Sequence, residues 1–171
     1  MMAALPFTIR PERTDETAAI GALLDAAFSG PVEGRLVENL RAGGDLVLAL
    51  AAAETSDVVG YVAWPRLHVE TPQGDVRAVG LAPLAVSPPR QRAGIGAALV
   101  ETGLARLRAK GETLAFVLGD PAYYRRFGFS VDAARAYEST YAGEHFMVLA
   151  LAAGAPRAGR VRYPAPFAAL A

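Results

Sequence analysis

The chain has 171 residues, 53% of them apolar and 20% charged, and its 17 basic and 17 acidic side chains give a formal net charge of zero. That length suits one domain with a core of its own, and the neutral balance gives no general pull toward nucleic acid or an anionic membrane. Cysteine is absent, which excludes disulfides, thiolate metal sites and a cysteine nucleophile, and two histidines, His68 and His145, are too few for a histidine-rich metal centre.

The opening MMAALPFTIRPERTDE has no basic segment followed by an apolar core, so no secretory leader is expected. The longest strongly apolar run, Leu46–Ala53, is too short to span a bilayer. A cytoplasmic protein is therefore the expectation. Phe7–Arg10 alternates as a short strand, and Thr14 or Asp15 can cap a helix with Ile20, Leu23, Leu24, Ala27 and Phe28 at helical spacing. Ser29-Gly30-Pro31 ends it. A second helix carries Leu36, Val37 and Leu40 on one face, and Gly43-Gly44 stops it. Three strands are predicted next, Leu46–Ala53, Val58–Val69 and Val76–Val86, joined by the turns Thr55–Asp57 and Thr71–Asp75.

A longer helix follows, with Leu99, Val100, Gly103, Leu104 and Leu107 on one face and Glu101, Ala105 and Arg108 opposite. Leu114–Leu118 reads as a continuous apolar strand and Pro121–Phe127 as a short helix ending at Gly128. Phe129–Val131 is predicted to re-enter the sheet, His145–Leu151 to form another strand, and Arg160–Tyr163 a last edge strand. The pattern describes a mixed α/β layer structure, not an alternating βαβ array. One domain, 1–151, is expected to be followed by an extension, 152–171, packed on it. For that extension, strand addition, dimerisation and plain packing all stay open.

Between the third strand and the long helix lies Pro89-Arg90-Gln91-Arg92-Ala93-Gly94-Ile95-Gly96-Ala97. A Walker loop fails here because Ala97, not lysine, follows Gly96. A dinucleotide fingerprint fails because Leu99 stands where its third glycine belongs, and three antiparallel strands precede it. What remains is Q/R-x-x-G-x-G/A. Glycines at 94 and 96 let a diphosphate approach the backbone, and the first-turn N–H groups of a helix are free to meet it. Arg90 and Arg92 are placed to add charge-assisted contacts, each of about 1.5–3 kcal/mol. A loop that merely starts a helix would have the same glycines.

The flanks of this motif, LAPLAVSP at 81–88 and GDPAYYRRFGF at 119–129, resemble the GNAT superfamily of acyl-CoA-dependent N-acetyltransferases, over about Phe7 to Leu151. The later motif is similar to a bacterial branch with G-D-P-x-Y-Y-x-R-F-G-F. The resemblance implies a mainly antiparallel sheet splayed at the cofactor strand and flanked by helices. It implies acetyl-CoA as cosubstrate with no metal, and a small-molecule or peptide amine as acceptor, with a homodimer as the candidate assembly. By the same resemblance, Leu84, Ala85 and Val86 would pair with the pantetheine arm, and Gln91, Arg92, Ala93, Gly94, Ile95, Gly96 and Ala97 would hold the diphosphate. Tyr124 would serve the departing thiolate, with Tyr123 packed in the core. Pro83 suits a bulge, since it lacks a ladder donor. Many members carry asparagine where this chain has Gly119-Asp120, so no asparagine role carries over.

With no cysteine, direct attack of an amine in a ternary complex is the economical chemistry. Candidate bases are Glu33, Glu38, Glu70, Asp75 and His68, and Trp64 and Phe28 are candidate pocket walls; surface charge or core packing is the plainer reading of each. A non-catalytic acyl-CoA sensor is the alternative from another class, and a nucleotide-dependent oxidoreductase the weaker third.

Overall fold

The computed structural model describes residues 6–170. Residues 1–5, with which the opening expected to hold no leader and the expected first domain begin, and Ala171, which ends the extension, lie outside the described residues. The element order is β1 (Thr8–Pro11), α1 (Thr17–Phe28), α2 (Val32–Ala42), β2 (Leu46–Glu54), β3 (Asp57–Thr71), β4 (Gly74–Leu81), β5 (Leu84–Val86), α3 (Ile95–Ala109), β6 (Leu114–Leu118), α4 (Pro121–Tyr124), α5 (Val131–Ala134), β7 (Tyr137–Glu138), β8 (Phe146–Ala150) and β9 (Gly159–Arg162). Among the described residues, the mixed, mainly antiparallel sheet has parallel pairing only between β4 and β6 and between β7 and β9.

The 15-residue β3 organises everything else. Its first part lies between β2 and β5, and its last part between β9 and β4. The strand predicted over Val76–Val86 is interrupted by Ala82 and the cis peptide before Pro83. Ala82 N–H donates to Ala63 O (3.0 Å) and Ala63 N–H to Pro83 O (3.1 Å), so the interruption stays attached to β3. On its other side, β4 pairs with β6 as far as Leu81↔Val117, but β5 pairs with no further strand. The sheet therefore opens into a V between β5 and β6.

Alternation along β3 divides the core. Val62 and Trp64 face α3, and Tyr61 and Ala63 face α1. The α3 face consists of the buried Leu99, Val100, Gly103, Leu104 and Leu107, as its spacing predicts. Trp64, a candidate pocket wall for which core packing is the plainer reading, is fully buried in this core. A Cβ on Gly103 would stand 2.5 Å from its Nε1, so glycine is what lets the helix lie on the indole. Gly60 does the same under the helix start, where a Cβ would stand 2.8 Å from Ile95 Cγ2.

The C-terminal half curls. Tyr137 of β7 meets Phe116 of β6 edge-on at 5.1 Å, although β9, β3 and β4 lie between them in the sheet. The residues predicted to re-enter the sheet at 129–131 make only one bridge, Ser130↔Val148, because Ser130 Oγ instead accepts from Ala133 N–H and caps α5. The predicted edge strand near 160–163 is not an edge, since β9 pairs with both β3 and β7. Phe167, in the 3-10 turn Ala165–Leu170, packs with Leu36 and Leu40 of α2.

At the start of α1, a 3-10 turn, Thr14–Glu16, takes the place of the predicted Thr14 or Asp15 cap, held by the Arg10–Glu16 ion pair. Arg41 of α2 donates to both carboxylate oxygens of Glu12 (2.8 and 2.9 Å), and Tyr61 O–H donates to one of them (2.6 Å). Burial and this carboxylate push the Tyr61 phenol above the usual tyrosine range. The network ties α2 to β3.

Candidate active site

The V between β5 and β6 is open because of how β5 spends its backbone groups. Pro83 O and Ser87 N–H bond to β3, as does the register pair Ala85↔Tyr61 between them. By strand alternation, Leu84 and Val86 point their N–H and C=O groups the other way, into the V. This corrects the expected trio: Ala85 pairs with β3 and tucks its methyl under α1, leaving Leu84 and Val86 to face a ligand. Gln91 Nε2 donates to Val86 O (3.2 Å), bracing the loop that follows.

The loop itself is a run of donors. Pro88–Arg90 forms a 3-10 turn, Arg92 and Gly94 adopt left-handed backbone (φ 67° and 84°), and Gly94 caps α3 with no side-chain bond. Ala98 N–H makes the first helical bond, to Gly94 O. The N–H groups of Arg92, Ala93, Gly94, Ile95, Gly96 and Ala97 donate to no described residue. Successive amides in such alternating backbone form a concave anion site, reinforced by the partial positive charge at the helix start. A Cβ on Gly96 would meet Tyr123 Oη at 3.0 Å and Val86 Cγ2 at 3.7 Å, so the absence of a side chain keeps the loop open beside β5.

The arginines differ from expectation. Arg90 is engaged by Glu54 (2.5 Å) across the β2–β3 end, which takes it out of the expected pair. Arg92 is exposed and in no ion pair among the described residues. Arg126 stacks over the Tyr123 ring at 4.5 Å and donates to Tyr123 O.

On the other wall, Asp120 caps α4 by accepting from Ala122 N–H (2.9 Å). Gly119 makes room for Tyr124, since a Cβ there would stand 2.6 Å from Tyr124 Cε2. The Gly119-Asp120 pair thus has a structural account, and the sequence signal was present: aspartate before proline is a helix-start pattern. Tyr124 packs edge-on against Tyr123 and Phe129. Burial, and secondarily Tyr123, pushes its phenol up to about 12. Its hydroxyl makes no hydrogen bond to a described residue, and it is not among the fully buried unpartnered atoms. Tyr123, expected in the core, is half-buried and holds its hydroxyl toward Gly96.

The candidate bases separate clearly. Glu70 and Asp75 share Arg162 (2.8 and 2.5 Å) at the far end of β3 and β4, and His68 lies there too, level with Arg77 and Arg162. Glu38 is exposed on α2. His145 Nδ1 is 3.2 Å from Gly119 O, near the V. Glu33 alone among them has a carboxylate oxygen, Oε2, fully buried and without a partner. Phe28 is 40% exposed at the corner beyond α1. No group of three or more metal-ligating side chains occurs among the described residues, and no helix there is long and apolar enough to cross a membrane.

Comparisons with known proteins agree with this geometry. The acetyltransferase (GNAT) domain family matches residues 8–131. The uncharacterized N-acetyltransferase YhbS of Escherichia coli K12 is 40% identical over 126 residues, 73% of this chain and 74% of the relative. The crystal structure of E. coli YhbS in complex with CoA superposes with a TM-score of 0.88 at 35% identity, covering 98% of this chain and 95% of that one. A GNAT family acetyltransferase from Brucella melitensis in complex with acetyl-CoA gives 0.81 at 35% identity, covering 96% and 99%.

Proposed function

Because the chain belongs to the GNAT acetyltransferase family, we propose that it moves the acetyl group of acetyl-CoA directly onto a primary amine, both substrates being bound together. The observation that carries this reading is the run of six N–H groups, Arg92 to Ala97, that donate to no described residue where a 15-residue helix begins. They fit a diphosphate, and the backbone groups of Leu84 and the Val86 N–H fit an amide-bearing arm laid along β5. The CoA and acetyl-CoA in the two related structures support the same cosubstrate here. Arg92 adds an exposed positive charge at the loop.

Acetyl-CoA supplies an activated acyl group. This chain's residues bind it, orient it and stabilise charge. An N–H of Leu84 or Val86, facing the V, is placed to meet the oxygen that gains charge when an amine adds to the acyl carbon. Tyr124 offers an unspent O–H. With its phenol near 12 and an ordinary thiol near 8.5, full transfer to sulfur is uphill by about 5 kcal/mol. Tyr124 therefore acts as a hydrogen-bond donor to the departing sulfur, not as the source of its proton.

The incoming amine must be neutral. At pH 7 that costs about 4–5 kcal/mol for a lysine-like amine and about 1 for an α-amine. No acyl-cysteine is available, since the chain has no cysteine.

We also read 152–170 as part of the same domain, because β9 pairs with β3 and Phe167 packs on α2. The test of function is free CoA release with acetyl-CoA and a panel of amines, alongside calorimetric titration of acetyl-CoA. Micromolar binding and amine-dependent release are expected. Binding without turnover for any amine would point to the sensor reading, and no binding would overturn the proposal.

A further inference from the structure

Resting on the acetyltransferase reading, we propose that Tyr123 is a positioning residue. Its hydroxyl takes a hydrogen bond to the cosubstrate's diphosphate, and that bond fixes the neighbouring Tyr124 at the sulfur.

Tyr123 spans the cleft. Its backbone belongs to α4, which follows β6, yet its hydroxyl reaches the first turn of α3, which follows β5. A Cβ on Gly96 would meet that oxygen at 3.0 Å, Val86 Cγ2 at 3.7 Å and Leu84 Cδ2 at 4.0 Å. The hydroxyl thus sits where β5 and the donor loop converge. It makes no hydrogen bond to a described residue, and it is not among the fully buried unpartnered atoms. The free groups of the loop, Arg92 to Ala97, are N–H donors and cannot accept its proton. A phosphate oxygen seated on those donors can.

Arg126 prepares this side chain. Its guanidinium stacks over the Tyr123 ring at 4.5 Å, and its Nε donates to Tyr123 O (3.1 Å). The stack fixes the tilt of the ring, and the positive charge beside it strengthens the O–H as a donor to an anion. Burial raises the Tyr123 phenol, and the Arg126 charge works against that rise.

Coupling to Tyr124 follows from how little holds α4. The helix is four residues long, and it runs directly into the 3-10 turn Arg125–Phe127 before Gly128 turns the backbone at φ 99°. A single turn has little stiffness of its own. Tyr123 and Tyr124 meet edge-on at 5.0 Å, and both pack against Phe127. Adjacent helical side chains point about 100° apart, so the two rings leave α4 in different directions. Tyr124 lies over Gly119 at the end of β6, and Tyr123 over Gly96 at the start of α3. Packing at Gly119 is one anchor. A diphosphate bond at Tyr123 is the second, and two anchors set the rotation of a turn where one does not. The remote tail of the cosubstrate thereby contributes to positioning at its reacting end.

The experiment places 3-fluorotyrosine at position 124 of the full-length protein and follows its fluorine resonance. ADP is the probe, since it carries a diphosphate but no thiol-bearing arm. Saturating ADP should shift the resonance in the parent and leave it unmoved in Tyr123→Phe, which keeps the ring and its packing. By calorimetry, Tyr123→Phe should weaken CoA about tenfold. Pantetheine, which lacks the diphosphate, should weaken by less than about twofold. Arg126→Gln, at an exposed position, should weaken CoA about threefold and reduce the ADP response. No ADP response in the parent, or an equal one in Tyr123→Phe, overturns the proposal, as does CoA affinity that neither variant changes. Failure of the parent to bind CoA in the same titration overturns the acetyltransferase reading as well.

Discussion

The two sides of the cleft are built by different means. The side proposed to hold CoA comes from one contiguous stretch, 84–97, and presents backbone groups. Side chains matter there mostly by their absence, at Gly94 and Gly96. The facing wall, around Gly119, Tyr123 and Tyr124, is shaped by side chains packed edge-on. A cradle of amides is indifferent to most substitutions that keep its conformation, whereas a wall of side chains can change its ligand with one substitution. That difference teaches why a shared fold keeps one cosubstrate and varies the other.

The largest expected effect breaks the backbone side. Gly96→Asp puts a carboxylate in the first turn of α3, where it suits the helix but competes for the free N–H groups. Loss of two charge-assisted bonds amounts to about 3–6 kcal/mol, so acetyl-CoA affinity by calorimetry should fall about 100-fold or more while the melting temperature holds. Next comes Tyr124→Phe, which removes one donor near the sulfur. Single-turnover rates should fall about 100-fold, with acetyl-CoA affinity nearly unchanged.

Because the Tyr124 phenol is held up to about 12, it stays protonated throughout the working range. The rate should therefore rise with pH as the amine loses its proton, then level off, with no decline from Tyr124 below about pH 11. A falling limb centred near pH 9 would contradict that placement.

A smaller effect tests how the Tyr124 wall is held. Gly119→Ala drives a methyl to 2.6 Å from the Tyr124 ring. Overpacking of this kind costs about 1–3 kcal/mol, and the displaced hydroxyl should lower kcat about tenfold at unchanged acetyl-CoA affinity. Smallest is Arg92→Ala. An exposed arginine contributes about 0.2–1 kcal/mol, so acetyl-CoA binding should weaken only a few-fold, and the difference should vanish in high salt.

Much of the backbone side could be read in the sequence, since local patterns specify it. The glycines at 94 and 96, the apolar face of α3 and the proline at 83 are all short-range signals, and each lies where its residue type predicts. Arg90 pairs instead with Glu54, 36 residues away, a contact that no local pattern announces. The trio Leu84, Ala85 and Val86 is what the family resemblance implies; alternation separates Ala85 from the other two, and only its pairing with Tyr61 tells that its side is the one facing β3. Tyr123 and Tyr124 are adjacent and chemically alike, so only the packing of Gly96 and Gly119 distinguishes what each ring meets.

By itself, then, the sequence determined most of the elements and the loop of donors, and it excluded a cysteine-borne intermediate. Tertiary structure alone decided which strand edge is left open, which carboxylate oxygen is buried without a partner, and that β9 lies between β3 and β7 and not at an edge. The physical reason is range. Helix periods, caps and glycine turns are fixed by neighbours a few residues apart, while β3 exchanging partners midway and Phe167 reaching α2 depend on contacts between segments the chain brings together only on folding.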